Sequence, residues 1–157
     1  MIIDGYTIFE PIAGGAITVT RASTNQLDLL AGRDLGVNPD MPIKVSIGVG
    51  ATFTAAGAAT MVVQIQGAPD NGSGAPGAYY TLAESRPYAL ADLVAGTKLL
   101  PLDLPAKAST DPQPRFLQLN YVVATGPMTA GTLNAQLTLD RSDIIYYNSG
   151  FTLAASA

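Results

Sequence analysis

Asp70-Asn-Gly-Ser-Gly74 carries the residue types of a cation loop: a carboxylate, an amide and a hydroxyl separated by glycines. Calcium needs six or more oxygen ligands, and the bidentate glutamate that closes such a loop at its twelfth position is missing. The same residues make an Asx turn, with the Asp side chain accepting from backbone N–H groups, and that is the expected reading. Gly32-Arg-Asp-Leu-Gly36 sets opposite charges between two glycines. With no catalytic partners in sight, it reads as a loop in which Asp34 caps N–H groups and Arg33 pairs locally. Gly14-Gly15 lacks the following Lys and Ser/Thr of a phosphate loop. Glu84 and Arg86 read as a solvated surface pair. Two carboxylates can hydrolyse a glycoside, and the chain has 12 acidic residues, but none lies in a distinctive aromatic setting and there is no Trp to line a sugar site. There is no His and no Cys. The commonest general base, the commonest metal ligand, the thiolate nucleophile and the disulfide are therefore all excluded. These absences argue against an enzyme, and no cofactor or metal is expected.

The net charge of −4 and a pI near 4.4 leave no basic surface to displace counterions from phosphates, so no nucleic-acid partner is expected. The length of 157 residues fits one domain with a sizeable core. Only 13% of residues are charged, beside 16 Gly and 11 Pro, a mixture that suits short strands joined by turns. The opening Met1-Ile-Ile-Asp-Gly-Tyr lacks the basic start and apolar stretch of a signal peptide, so no leader is expected. Residues 45–69 contain no charge and are long enough to mimic a membrane span. Their glycines, their threonines and a period of two in both halves argue for strands instead.

The elements that must position these residues follow from that period. Leu117, Leu119, Tyr121 and Val123 share one face, with Gln118 and Asn120 on the other. Leu133, Ala135, Leu137 and Leu139 alternate in the same way with Thr132, Asn134, Gln136 and Thr138. The turn-rich residues 124–131 join the two runs, so a long antiparallel hairpin with one buried and one wet face is expected. Ile43, Val45, Ile47 and Val49 alternate with Lys44 and Ser46, and Met61, Val63 and Ile65 form a second such set across a small-residue turn. Strand character is also expected at 16–20, 25–29, 79–83 and 98–104, the last with Pro101 at an edge or bulge. Residues 90–94 form the only plausible helix, stopped by Gly96. This amounts to about eight strands, spaced as in a sandwich. The expected fold is an all-β, antiparallel two-sheet jelly roll, with an immunoglobulin-like sandwich as the alternative. The expected organisation is an arm at 1–24, the sandwich at 25–140 and a tail at 141–157.

Both ends carry apolar residues without a sustained period: Ile8, Phe9 and Ile12 in the arm, and Ile144, Tyr146, Tyr147 and Phe151 in the tail. A free end does not normally carry this much apolar area. These seven residues are the candidate partner contacts. Whether the tail packs back on its own domain or docks on a partner is left open by the residues. The sticky ends point to a homo-oligomer, a dimer before a trimer on base rates of symmetry.

Several stretches carry a family resemblance. They are Leu27-Asp-Leu29 with Gly32-Arg-Asp-Leu-Gly36, Val63-Gln-Ile-Gln-Gly-Ala-Pro-Asp-Asn71 and Leu82-Ala-Glu-Ser85. Further on come Ala95-Gly-Thr-Lys-Leu-Leu-Pro101, Arg115-Phe-Leu-Gln-Leu-Asn-Tyr121 and Thr129-Ala-Gly131. In this order, over roughly 25–140, the chain resembles the jelly-roll capsid cement proteins of tailed phages of the Bordetella-phage type. The loops 70–78 and 106–114 depart from a minimal member in length and Gly/Pro content. The resemblance implies a virion protein without catalytic residues that is made in the host cytoplasm. It would bind the outside of the shell and clamp neighbouring major capsid proteins. An acidic surface suits that outer face, and no membrane partner is implied. The alternative is a carbohydrate- or receptor-binding β-sandwich of a phage particle, for which Tyr79, Tyr80 and Tyr88 are the only candidate aromatics outside the central runs and the ends.

Overall fold

The computed structural model describes residues 5–37, 43–99 and 102–139. Ten strands are assigned among them: β1 (Ile8–Glu10), β2 (Arg21–Ala22), β3 (Leu27–Asp28), β4 (Ile43–Ala55), β5 (Thr60–Ala68), β6 (Tyr80–Glu84), β7 (Tyr88–Ala89), β8 (Leu102–Asp103), β9 (Phe116–Ala124) and β10 (Met128–Leu139). The chain is all-β, with two antiparallel sheets stacked as a sandwich. One sheet runs β1-β10-β4-β8, and the other runs β2-β9-β5-β6 with β3 on β9 and β7 on β5. The expected short helix is a single 3-10 turn, Leu90–Asp92.

The alternating runs form strands as expected, and their inward residues build the core. Val45, Ile47, Val49, Leu133 and Ala135 from one sheet meet Met61, Val63, Ile65, Leu117, Leu119 and Tyr121 from the other, all nearly inaccessible to water. The expected hairpin is not formed. β9 pairs with β5, from Thr60↔Ala124 to Ala68↔Phe116, and β10 pairs with β4, from Met128↔Ala55 to Leu139↔Ile43. Residues 124–128 therefore form an arch that carries the chain from one sheet to the other, and residues 55–60 make a second arch beside it. A single two-stranded ribbon, β4·β10, folds over and continues as β5·β9, which is the roll expected of a jelly roll. The reason is geometric. Period two fixes which side of a strand is buried, and two apolar faces can meet side by side or across a core with the same sequence pattern.

Gly131 sits where the β10 ladder is irregular. Its φ is 129°, and an added Cβ would fall 2.2 Å from the Phe53 ring, so only glycine lets the strand pass that close. A second expectation also changes. The outer residues Ser46, Asn134 and Gln136 are not wet but buried, at 1%, 7% and 7% exposure. Their counterparts on the other sheet, Gln64, Gln66, Gln118 and Asn120, are half-buried and hydrogen-bond to one another as an amide ladder, with Gln118 donating to Gln66 at 2.9 Å and Asn120 to Gln64 at 3.0 Å.

The separate arm is corrected as well. β1 lies on the open edge of β10, and β2 lies on the edge of β9. Phe9 and Ile17 are core residues, at 1% and 0% exposure. Both strands belong to the expected arm and close one flank of the sandwich, so the folded unit begins well before Asn25. Deleting the chain up to Gly15 would take Phe9 and β1 with it, which is core and not an appendage.

Candidate functional site

A densely bonded polar cluster lies on that flank. Glu10, on β1, is 1% exposed. Arg21 reaches it with a two-pronged guanidinium, Nη2 to Oε1 at 3.0 Å and Nη1 to Oε2 at 3.2 Å. Thr24 adds its hydroxyl to Oε1 at 2.6 Å and its backbone N–H to Oε2 at 3.0 Å. Arg21 also donates to the carbonyls of Gly15 and Ala22. A buried carboxylate survives only when paired and hydrogen-bonded like this. The turn at 11–14 makes room for it, since a Cβ on Gly14 would fall 2.4 Å from Glu10 Oε1. Below lies Tyr121, its ring 5.6 Å from the Arg21 guanidinium. Burial first, and the Glu10 charge second, push its hydroxyl well above the ordinary tyrosine range. The clasp spans both sheets, because Glu10 belongs to one and Arg21 to the other. The sequence reading missed it, although one signal was there: Glu10 is the single acid among Ile8, Phe9, Pro11 and Ile12, and an acid in an apolar run needs a cation if it is buried.

A second cluster fixes the loops at one end. Arg115, just ahead of β9, grips Asp28 with Nε to Oδ1 and Nη2 to Oδ2, both at 2.9 Å, and pairs with Asp70 through Nη1. Asp70 accepts from the N–H groups of Gly72 at 2.8 Å and Gly74 at 3.0 Å, which is the Asx turn expected of this loop. Asp28 Oδ1 also accepts from the Leu30 N–H at 2.8 Å. Among the described residues no group of three or more His, Cys, Asp and Glu is placed to hold a metal.

These bonds depress both acids below the ordinary 3.8, Asp28 chiefly through Arg115 and Asp70 chiefly through the Gly72 and Gly74 N–H groups. The sign follows. A carboxylate whose pKa is lower in the folded state adds stability above its unfolded value of 3.8, and that stability is lost as pH falls through the folded values. An Arg115→Gln variant is expected to melt earlier than the parent at neutral pH, with the gap closing below pH 3.8. Thermal melts down to about pH 2 check this, and a gap that stays constant with pH would contradict it.

The other singled-out residues are placed as follows. Asp34 caps, accepting from the N–H groups of Gly36 and Lys107. Arg86 pairs with Asp92 at 3.0 Å, not with Glu84, which accepts from Gln64. The 3-10 turn brings Asp92 round to Arg86, whereas Glu84 lies in β6 beside Gln64 of β5. Tyr79 and Tyr80 are half-buried, their hydroxyls donating to Gln26 at 2.8 Å and to the Pro112 carbonyl at 2.7 Å, and Tyr88 is 2% exposed. The three therefore do not form an open aromatic platform for a sugar. Of the candidate partner contacts, Phe9 is core, Ile8 is half-buried on β1, and Ile12 is 67% exposed. Ile144, Tyr146, Tyr147 and Phe151 lie outside the described residues.

The class these features define is an antiparallel two-sheet β-sandwich whose charged clusters tie strands and loops together. Residues 12–137 match the model of the Bbp16 family, so the chain belongs to the Bbp16 family of Bordetella phage proteins. The match begins inside the expected arm, in keeping with the arm's place in the sandwich. No curated protein matches the chain. Among the described residues, no helix is long and apolar enough to cross a membrane.

Proposed function

We propose that this protein is a structural component of the virion: a non-catalytic capsid cement protein that binds the outer surface of a tailed-phage shell and clamps neighbouring major capsid proteins. The observation that carries this reading is membership of a phage family over residues 12–137. The structure supports it in two ways. The carboxylates with resolved partners are bonded to Arg, Thr, Gln or backbone groups, which leaves them holding the fold instead of facing a substrate. The net charge of −4 suits a surface turned away from packaged DNA. The mechanism is mass action: a ligand that binds the assembled shell and not its free subunits stabilises the shell by RT ln(1 + [L]/Kd).

The test is to purify shells from phage lacking the gene and add the protein. Saturable co-sedimentation and a higher melting temperature of the shell are expected. Density for the bound copies, read with light scattering of the free protein, gives the oligomer, for which a dimer is the first expectation and a trimer the second. Shells that neither bind the protein nor gain heat tolerance would overturn the reading.

A further inference from the structure

Asn71-Gly72 is the only Asn-Gly step in the chain, and it stands in an exposed loop. The base of the loop is fixed. Asp70 bridges to Pro76, the Asn71 N–H donates to the Ala75 carbonyl at 3.0 Å, and the Gly77 N–H donates to the Pro69 carbonyl at 2.8 Å. Within it the Asn71 carboxamide is folded toward the chain that follows. Its Oδ1 accepts from the Ser73 N–H at 2.9 Å and from the Ser73 hydroxyl at 2.7 Å. These two bonds turn Cγ toward the Gly72 nitrogen. The Gly72 N–H donates to Asp70 Oδ1 at 2.8 Å. Gly72 has a φ of 92°, and a Cβ there would meet nothing within 4 Å, so its nitrogen is not shielded.

We propose that Asn71 is a self-modification site, where the Gly72 nitrogen attacks Asn71 Cγ in the folded chain and the residue becomes aspartate or isoaspartate. The bond from the Gly72 nitrogen to Cγ forms, the Cγ–Nδ2 bond breaks, and the Gly72 proton ends on the departing nitrogen, which leaves as ammonia. The product is a cyclic imide. Water then opens it, at Cγ to give aspartate or at the Asn71 main-chain carbonyl to give isoaspartate. No oxidant, reductant or further reactant is needed. The loop assists the first step in three ways. Holding Cγ toward the nitrogen replaces a search with a short approach. Negative charge develops on Oδ1 as the tetrahedral centre forms, and the two Ser73 donors are already in place for it. The Asp70 carboxylate faces the proton that must leave, and the Gly72 and Gly74 N–H groups keep it ionised at neutral pH. The product reaches the charge cluster. Isoaspartate adds a methylene to the main chain between 71 and 72, which displaces the Gly72 and Gly74 N–H groups from Asp70, the acid that Arg115 pairs with. Either product sets a second carboxylate beside Asp70. This goes beyond the proposed shell binding and does not depend on it.

The full chain is kept folded in mildly alkaline buffer beside a synthetic peptide of residues 66–79, which has no fold to guide it. Peptide mapping follows the mass gain at residue 71 as NH is replaced by O, and an isoaspartyl methyltransferase assay counts the isoaspartate. The protein is expected to convert at least as fast as the peptide. Ser73→Ala, made in both, should slow the protein by about threefold or more, the worth of one hydrogen bond, and leave the peptide nearly unchanged. Ser73→Thr keeps the hydroxyl donor and should keep the rate. A protein that converts more slowly than the peptide would overturn the proposal, because the fold would then protect Asn71. An equal effect of Ser73→Ala in protein and peptide would overturn it too, by leaving Ser73 no role in the folded loop. So would a Ser73→Thr chain as slow as Ser73→Ala, which would trace the slowing to a damaged loop and not to the lost donor.

Discussion

An Arg21→Ala variant is expected to lose about 3–5 kcal/mol of unfolding free energy, because it strands a charge in the protein interior. The Glu10 side chain has 0% accessibility and Arg21 only 27%. Removing the guanidinium deletes two bonds to the carboxylate and two to the carbonyls of Gly15 and Ala22. Thr24 keeps its two bonds, which holds the loss toward the lower end. The comparison that isolates the cause is a double variant with Glu10→Gln. In Glu10→Gln the amide oxygen can accept from the Thr24 N–H while the amide NH2 donates to the Thr24 hydroxyl oxygen, which leaves no unpaired charge, so the double variant should be more stable than Arg21→Ala alone. Urea unfolding of the parent and the variants, with the slope unchanged, measures both differences. A loss below about 1 kcal/mol, the worth of a surface pair, would mean that water reaches Glu10.

That clasp marks where the sequence stopped being legible. The strand faces were readable, because an apolar residue at every second position has one physical solution. Val45, Ile47, Val49, Met61, Val63 and Ile65 are all buried as the alternation requires. The Asx turn at Asp70 was readable too, since its geometry is local. Strand partners were not, because nothing within residues 115–139 tells a hairpin from an arch; only the apolar faces of β4 and β5 decide it, by needing cover. The role of the arm was hidden for a related reason. Phe9 and Ile17 do not alternate with each other, so they carry no period, yet each fills a place at the open edge of a sheet already built. The charge clusters are long-range by nature. Arg115 meets Asp28 and Asp70 from distant parts of the chain, and their spacing encodes nothing until β3 and β5 lie beside β9.

Leu119→Ala tests the assembled sandwich most directly, with an expected cost of about 2–5 kcal/mol. Leu119 is 0% exposed at the middle of β9, opposite Ile65 on β5, and its side chain faces the other sheet. Truncation there removes several methyl-sized groups and leaves a cavity walled by strands that cannot collapse without breaking ladder bonds. Leu137 also points inward but is only half-buried near the end of β10, so Leu137→Ala should cost less. Gln118, one residue away on the outer face, donates one bond to Gln66, so Gln118→Ala should cost about 1 kcal/mol or less. Gln136 does not serve as a neutral comparison, since it is 7% exposed. The expected order of destabilisation is therefore Leu119, then Leu137, then Gln118, read from thermal or urea melts of the full chain. A double-mutant cycle then separates arch from hairpin. Ile65 and Leu119 are cross-strand neighbours only if β9 pairs with β5, and neighbours in contact couple by about 0.5–3 kcal/mol. Strict additivity of Ile65→Ala and Leu119→Ala, within about 0.3 kcal/mol, would place β9 beside another strand and undo the rolled topology.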